Sequence, residues 1–374
     1  MPANNPGIED LTTPALLLDE AKMMRNIERL EAHARSLGVA LRPHLKTAKS
    51  VEIALRLGGG VSAPITVSTL AEAEVFHDAG FTDILYAVGI APQKLARVQA
   101  LRAKGCDLVV ILDSPEQASA VAKAGVPALI EIDSDGHRGG RLADDPALIE
   151  IGKILGAKGV LRGVMTHAGE SYTVRGAAAH AEFAELERSS AVKAADALRA
   201  AGLPCPIVSV GSTPTAHAAR DLTGVTELRA GVYMVFDLVM AGLEVCTLDD
   251  LALSVLTTVI GHQPAKGWVM IDAGWMAMSR DRGTQTMDVD QGYGVVCDVE
   301  GRVLRDLIVR SANQEHGIIA LRSGAKGPLP DLPVGTQLRI LPNHACATAA
   351  QYDRYHVLSA AGGPLKTWHR FGGW

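Results

Sequence analysis

Lys46 stands in "LRPHLKTAKS", directly after an apolar-alternating run and directly before a helix-like segment. An amine at such a junction is usually a solvated charge, but at the mouth of a barrel it can serve as a nucleophile or base. Three further stretches bear on the choice. "VGSTPT" offers Gly211, Ser212 and Thr213, whose backbone N–H groups and hydroxyls at a helix start can cradle an anion, and "RAGVY" supplies Gly231 and Tyr233 from the following loop. Taken alone, Gly-Ser-Thr-Pro is also ordinary helix capping. "EIDSDGHRGG" carries Arg138, a permanent cation that would keep a neighbouring pyridine nitrogen unprotonated. "MTHAGESY" carries His167 and Tyr172, able to pack on a ring or hydrogen-bond it. Each of these has a bland alternative as a solvated loop or rim residue. An amine at one end and a phosphate cradle at the other is nevertheless the layout that a pyridoxal phosphate site needs.

A second constellation lies near the C-terminus. In "LPNHACATAA", His344 and Cys346 are separated by one residue, so in an extended segment both side chains project to one side and can meet one metal ion. The alternative is a loop histidine beside a buried cysteine. As metal ligands, two protein groups would leave positions open to water and substrate, which is a catalytic arrangement and not a structural one. A thiolate donor favours Zn²⁺, Co²⁺ or Mn²⁺ over an all-oxygen Mg²⁺ cage.

These residues need elements to hold them. Nine β-rich runs precede Asp237: "ALLLD", "VALRPH", "ITVS", "ILYAV", "LVVIL", "ALIEID", "GVMTH", "IVSVG" and "TELRAG", mostly with helix-periodic segments between them. Alternation of strand and helix predicts a parallel sheet, and a closed (β/α)8 barrel takes eight strands, from "VALRPH" to "TELRAG". "ALLLD" is left to pair elsewhere. After Asp237, runs such as "LALSVLTTVIGH", "GWVMIDAGW" and "TQLRILP", broken by Gly, Pro and Asp turns, predict a mainly antiparallel β domain. The expected division is an α/β barrel domain over 22–245 and a β domain over 246–374 plus 1–21. A doubly wound open sheet is the competing architecture, but no G-x-G-x-x-G fingerprint supports it.

The totals exclude other classes. At 374 residues the chain can form two sizeable cores. A net charge of −5 without blocks of like charge argues against nucleic acid as a partner. No apolar run approaches a membrane span, and "MPANNPGIEDLTTP" lacks the basic and apolar regions of a secretory signal. Five scattered cysteines fit reduced thiols, so the expected location is cytoplasmic.

With these residues in hand, the chain resembles the pyridoxal phosphate enzymes of alanine-racemase fold (fold type III), and within them the D-serine dehydratase and D-threonine aldolase group. The resemblance runs nearly end to end, through "TPALLLD", "RPHLKT", "GSTPT", "ELRAGVY", "DAGW", "NQEHG" and "PNHAC". It implies a Schiff base on Lys46, a divalent metal on His344 and Cys346, and a homodimer in which the β domain helps close the partner's site. The aldolase branch usually has Asp where this chain has Cys346, and often His where it has Ala48. Both departures favour dehydration over retro-aldol cleavage to glycine and an aldehyde. The implied reaction is loss of water from a D-3-hydroxy amino acid, with D-threo-3-hydroxyaspartate expected to give oxaloacetate and ammonia, and D-serine a poorer substrate. D-serine dehydration proper is a further alternative. Arg280 or Arg282 in "SRDRGT" could hold a β-carboxylate through a bidentate pair, and Gln314 is a further candidate for substrate contact.

Overall fold

The computed structural model describes residues 7–374; residues 1–6 of the expected N-terminal arm lie outside the described residues. The chain first lays down β1 (Ala15–Asp19). Eight short strands then alternate mostly with helices: β2 (Ala40–Leu41), β3 (Ile65–Val67), β4 (Asp83–Gly89), β5 (Asp107–Leu112), β6 (Ala128–Ile132), β7 (Leu161–Thr166), β8 (Ile207–Val210) and β9 (Glu227–Leu228). These are the eight runs expected to form the barrel. All their pairings are parallel, in the order β2-β9-β8-β7-β6-β5-β4-β3. A parallel bridge between His44 and Thr66 joins the two ends of that order and closes the ring. Its bonds run from Leu45 N–H to Thr66 O at 2.9 Å and from Thr66 N–H to Pro43 O at 2.8 Å. The run "VALRPH" is thus a strand only at Ala40–Leu41, because Pro43 has no N–H to give to a ladder.

Several C-terminal strand ends are fixed by hydroxyl caps on the next helix. Thr69 accepts from Glu72 N–H, Ser114 from Gln117 N–H and Ser212 from Thr215 N–H. Each satisfies a helix-start donor that would otherwise lack a partner, so the loop leading from the strand is held in one conformation.

The second sheet comprises β10 (Leu253–Gln263), β11 (Trp268–Ile271), β12 (Gly294–Cys297), β13 (Val303–Ala312), β14 (Gly317–Leu321), β15 (Gln337–Pro342), β16 (Arg354–Leu358) and β17 (Lys366–His369), together with β1. β10 pairs with both β15 and β11, so β10-β11-β14-β13-β12-β15 is a closed antiparallel ring. β1 adds to the other stretch of β10 antiparallel and to β16 parallel, the place expected for "ALLLD". The compact units are Glu28–Tyr233 with Gly372–Trp374, and the chain up to Ile27 with Met234–Phe371. Among the described residues no helix is long and apolar enough to cross a membrane.

The barrel interior is charged as well as apolar. Arg42, 8% exposed, gives Nε to Glu227 at 2.8 Å and a terminal nitrogen to Asp83 at 2.7 Å. Glu227, 7% exposed, also accepts from Ser209 Oγ at 2.6 Å. Removing one member of a buried ion pair leaves its partner as an uncompensated charge, so Arg42→Met is expected to cost about 3 kcal/mol in urea unfolding.

Candidate active site

Lys46 lies in the turn after β2, exposed, five residues before the helix Val51–Ala54. Its backbone N–H donates to His44 Nδ1 at 3.3 Å, so the His44 proton sits on Nε2. His167, at the end of β7, is held in the opposite tautomer, since its Nδ1 faces the Gly211 carbonyl at 3.1 Å and must donate to it. Burial pushes the His167 pKa down to about 3; the Gly211 bond opposes this, and the charges of Lys46, Arg138 and Arg229 add to it. Burial likewise takes His44 far below its usual value, helped by Lys46, Arg229, His167 and Arg138. The shared electrostatics place Lys46, Arg138 and Arg229 around the same two neutral imidazoles. The structure thus brings together three cations and two uncharged rings, as an anionic ligand would require.

Arg138 is half exposed on the loop after β6, with Glu131 3.7 Å away. Tyr172 lies on the loop after β7, its ring centroid 6.2 Å from that of His167. Arg229, which the sequence reading passed over, is 4% exposed and is bound by Ser209 Oγ and the Thr166 carbonyl.

The stretch Gly211-Ser212-Thr213 is built differently from expectation. The Gly211 N–H goes to Glu187 at 2.9 Å and the Ser212 N–H to Thr215 Oγ1 at 2.9 Å, so neither is left for a ligand. Gly211 is required by backbone approach, because at its φ of +137° a Cβ would lie 2.0 Å from the Arg229 carbonyl oxygen. Gly231 similarly abuts the His44 carbonyl, at 3.0 Å from a Cβ. What remains is hydroxyl chemistry. Thr213 Oγ1 and the Tyr233 hydroxyl are buried with no hydrogen-bond partner among the described residues. Buried polar atoms left so are costly, so each is a candidate to bond a ligand. Burial also drives the Tyr233 pKa upward, keeping it a neutral donor.

In the other unit, His344 and Cys346 meet at a helix start and not across an extended pleat. His344 is the N-cap of the helix Ala345–Ala349, and Cys346 lies in its first turn. The imidazole and the thiol hydrogen-bond each other. His344 Nδ1 donates to Asp281 at 2.6 Å, leaving Nε2 for a metal, and Asp237, fully buried, accepts the Ala345 N–H at 2.9 Å. Among the described residues no cluster of three or more such ligands forms. Asp281 and Asp237 were not singled out from sequence, although Asp281 stands between the two arginines that were.

Of those arginines, Arg282 is engaged: it pairs with Asp290 at 2.6 Å and lies 5.4 Å from the Tyr293 ring centroid. Arg280 is exposed, stacks 4.7 Å over Trp275 and forms no ion pair among the described residues. Gln314 is exposed, and its carbonyl accepts the Met276 N–H at 3.1 Å, tying its turn to the helix before Arg280. Ala48 is buried.

Comparison with known proteins agrees with these two halves. Residues 18–239 match the alanine racemase N-terminal domain, and residues 252–358 match the putative serine dehydratase domain. The chain is 54% identical to D-threo-3-hydroxyaspartate dehydratase of Delftia sp. (strain HT23), covering 97% of this chain and 98% of that one. It is 29% identical to D-serine dehydratase of Dictyostelium discoideum over 96% of each. The solved structure of the Delftia enzyme superposes with a TM-score of 0.95, covering 98% of this chain and 99% of that one at 54% identity. A cysteine-to-alanine mutant of D-threo-3-hydroxyaspartate dehydratase, described as the metal-free form, superposes equally well at 0.95. Alanine racemase of Clostridium difficile 630, 14% identical with a TM-score of 0.70, shares the fold.

The two partnerless hydroxyls give a direct test. Thr213→Val and Tyr233→Phe should leave melting temperature unchanged or raise it, because each removes a buried polar atom without a partner. The stabilisation that inorganic phosphate gives the wild type in a thermal-shift titration should shrink in both.

Proposed function

The chain belongs to the family of the D-serine and D-threo-3-hydroxyaspartate dehydratases, with an alanine racemase-type N-terminal domain, and on that premise we propose that it eliminates water from D-threo-3-hydroxyaspartate. The products would be oxaloacetate and ammonia, with D-serine a poorer substrate. The observation that carries this reading is 54% identity over almost the whole length of both chains to an enzyme of that name. Pyridoxal phosphate would supply an electron sink for the α-carbanion, and a divalent ion (zinc, manganese or cobalt) a Lewis acid for the departing hydroxyl.

The chain's own residues then have defined work. Lys46 would anchor the cofactor through its amine and serve as the base for the α-proton. Thr213 and Tyr233 would hold the phosphate, with Gly211, Ser212 and Gly231 shaping the loops beneath it. Arg138 would disfavour a proton on the pyridine nitrogen, and His167 and Tyr172 would bound the ring. His344 and Cys346 would hold the metal, with Asp281 accepting from Nδ1 so that Nε2 is the ring atom left to serve as ligand. Support for the metal comes from the donor set and from the mutated relative's metal-free form. Arg280 is the better-placed candidate for the β-carboxylate, since Arg282 already has Asp290; Gln314 lies on the turn tied to that segment. A homodimer and a cytoplasmic location complete the reading, the latter in keeping with the five free cysteines.

Two measurements test it. The purified protein should be yellow, and Lys46→Ala should lose that absorbance. Chelation should abolish turnover reversibly, restored by Zn²⁺, Mn²⁺ or Co²⁺, while the absorbance persists.

Product analysis separates the reaction classes. Oxaloacetate and ammonia from D-threo-3-hydroxyaspartate are expected; glycine and an aldehyde would move the protein to the D-threonine aldolase type. Arg280→Ala should raise KM for hydroxyaspartate about tenfold, the loss of about 1.4 kcal/mol of charge-assisted binding, and leave D-serine turnover near wild type. Equal rates on both substrates, untouched by this change, would point to a D-serine dehydratase proper.

A further inference from the structure

Glu187 lies midway along the helix Ala177–Ala200, 1% exposed, and its carboxylate collects three donors from two separate loops. Oε1 accepts the Ala168 N–H and the Gly211 N–H, each at 2.9 Å, and Oε2 accepts the Thr215 hydroxyl at 2.7 Å. The loops after β7 and β8 are therefore fastened to one side chain beneath them. A carboxylate only accepts, so it also orients what feeds it. With the Thr215 hydroxyl committed to Glu187, Ser212 is left to donate across its 2.9 Å contact with Thr215, while Ser171 Oγ lies 2.9 Å from Ser212 Oγ and donates to the Ala168 carbonyl at 2.7 Å. Ser171 and Ser212 thereby join the two loops a second time, and His167 Nδ1 on the Gly211 carbonyl joins them a third.

Every donor drawn into this assembly is withdrawn from a ligand, while Thr213, within the same turn, keeps its hydroxyl unbound among the described residues. Burying a carboxylate beside an anion site is unfavourable unless the acid is fully hydrogen-bonded and does structural work there. Nothing local in "EFAELERSSAVKAADALRAAG" marks Glu187 apart from its neighbours.

We infer that Glu187 is the positioning residue of the phosphate subsite: by holding Gly211 and Thr215 it sets the place of the Thr213 hydroxyl, and by holding Ala168 it sets the place of His167. This rests on the pyridoxal phosphate reading above. It acts on the phosphate end of the ligand and not on the amine at Lys46, which gives it a signature that general destabilisation lacks.

The test compares pyridoxal phosphate with pyridoxal, which has the aldehyde but no phosphate, titrated into cofactor-free protein and followed by absorbance. Wild type should prefer the phosphate form strongly. Glu187→Ala should lose at least about tenfold of that preference, roughly one hydrogen bond to a charged group, with pyridoxal affinity little changed. Glu187→Gln keeps an acceptor for the two N–H groups and should fall between. If Glu187→Ala fails to fold, Thr215→Val cuts one of the three bonds and should lower the preference in the same sense. An unchanged preference in Glu187→Ala, or in Thr215→Val where the first does not fold, overturns the inference, as does an equal loss for both ligands. A wild type without preference for the phosphate form would overturn the cofactor reading itself, a different and recognisable outcome.

Discussion

A guanidinium sealed from water has to be neutralised by the protein around it, and the barrel end that faces Lys46 is arranged around that demand at Arg229. Its nitrogens are taken up by Ser209 and the Thr166 carbonyl, and the charges of Glu227, Glu187 and Glu131 oppose the lowering of its pKa by burial. Glu227 in turn is balanced by Arg42, and the Ser209 hydroxyl of β8 links Glu227 to Arg229, donating to the first and accepting from the second. The backbone of Arg229 imposes a second condition, since its carbonyl leaves room only for glycine at 211.

Much of the site's electrostatics follows from that cation and its two neighbours. Burial is the main cause that keeps His44 and His167 neutral, and the charges of Lys46, Arg138 and Arg229 add to it. Each is then a fixed donor and a fixed acceptor, decided by which ring nitrogen its neighbour occupies. Two buried carboxylates act from within, Glu187 under the loops and Glu227 inside the barrel.

The β unit repeats the device with different groups. Asp281 fixes the ring of His344, and Asp237, buried as the N-cap of the helix Leu238–Gly242, also holds the amide between His344 and Cys346. Both carboxylates act on the orientation of the pair. Both units thus use acids to fix orientation: the buried Glu187 and Asp237 accept backbone N–H groups, and the exposed Asp281 accepts a ring N–H.

Local sequence determined the elements and the reactive groups. Strand-helix alternation gave eight barrel strands, the surplus "ALLLD" was rightly assigned to the β sheet, and Lys46, Thr213, His344 and Cys346 could be named as candidates because their chemistry is carried by residue type and by neighbours within a few positions. Tertiary structure decided what those groups are free to do. Sequence could suggest that Gly211 and Ser212 offer N–H groups, but only the fold shows them spent on Glu187 and Thr215. It could propose either arginine of "SRDRGT", but only the fold pairs Arg282 with Asp290. Glu187 and Arg229 were illegible for the same reason: Glu187 acts on groups 19 to 28 positions away, and Arg229 on groups 20 and 63 positions away. A buried charge draws its meaning from partners that chain folding delivers, and periodicity carries no record of which distant donor arrives.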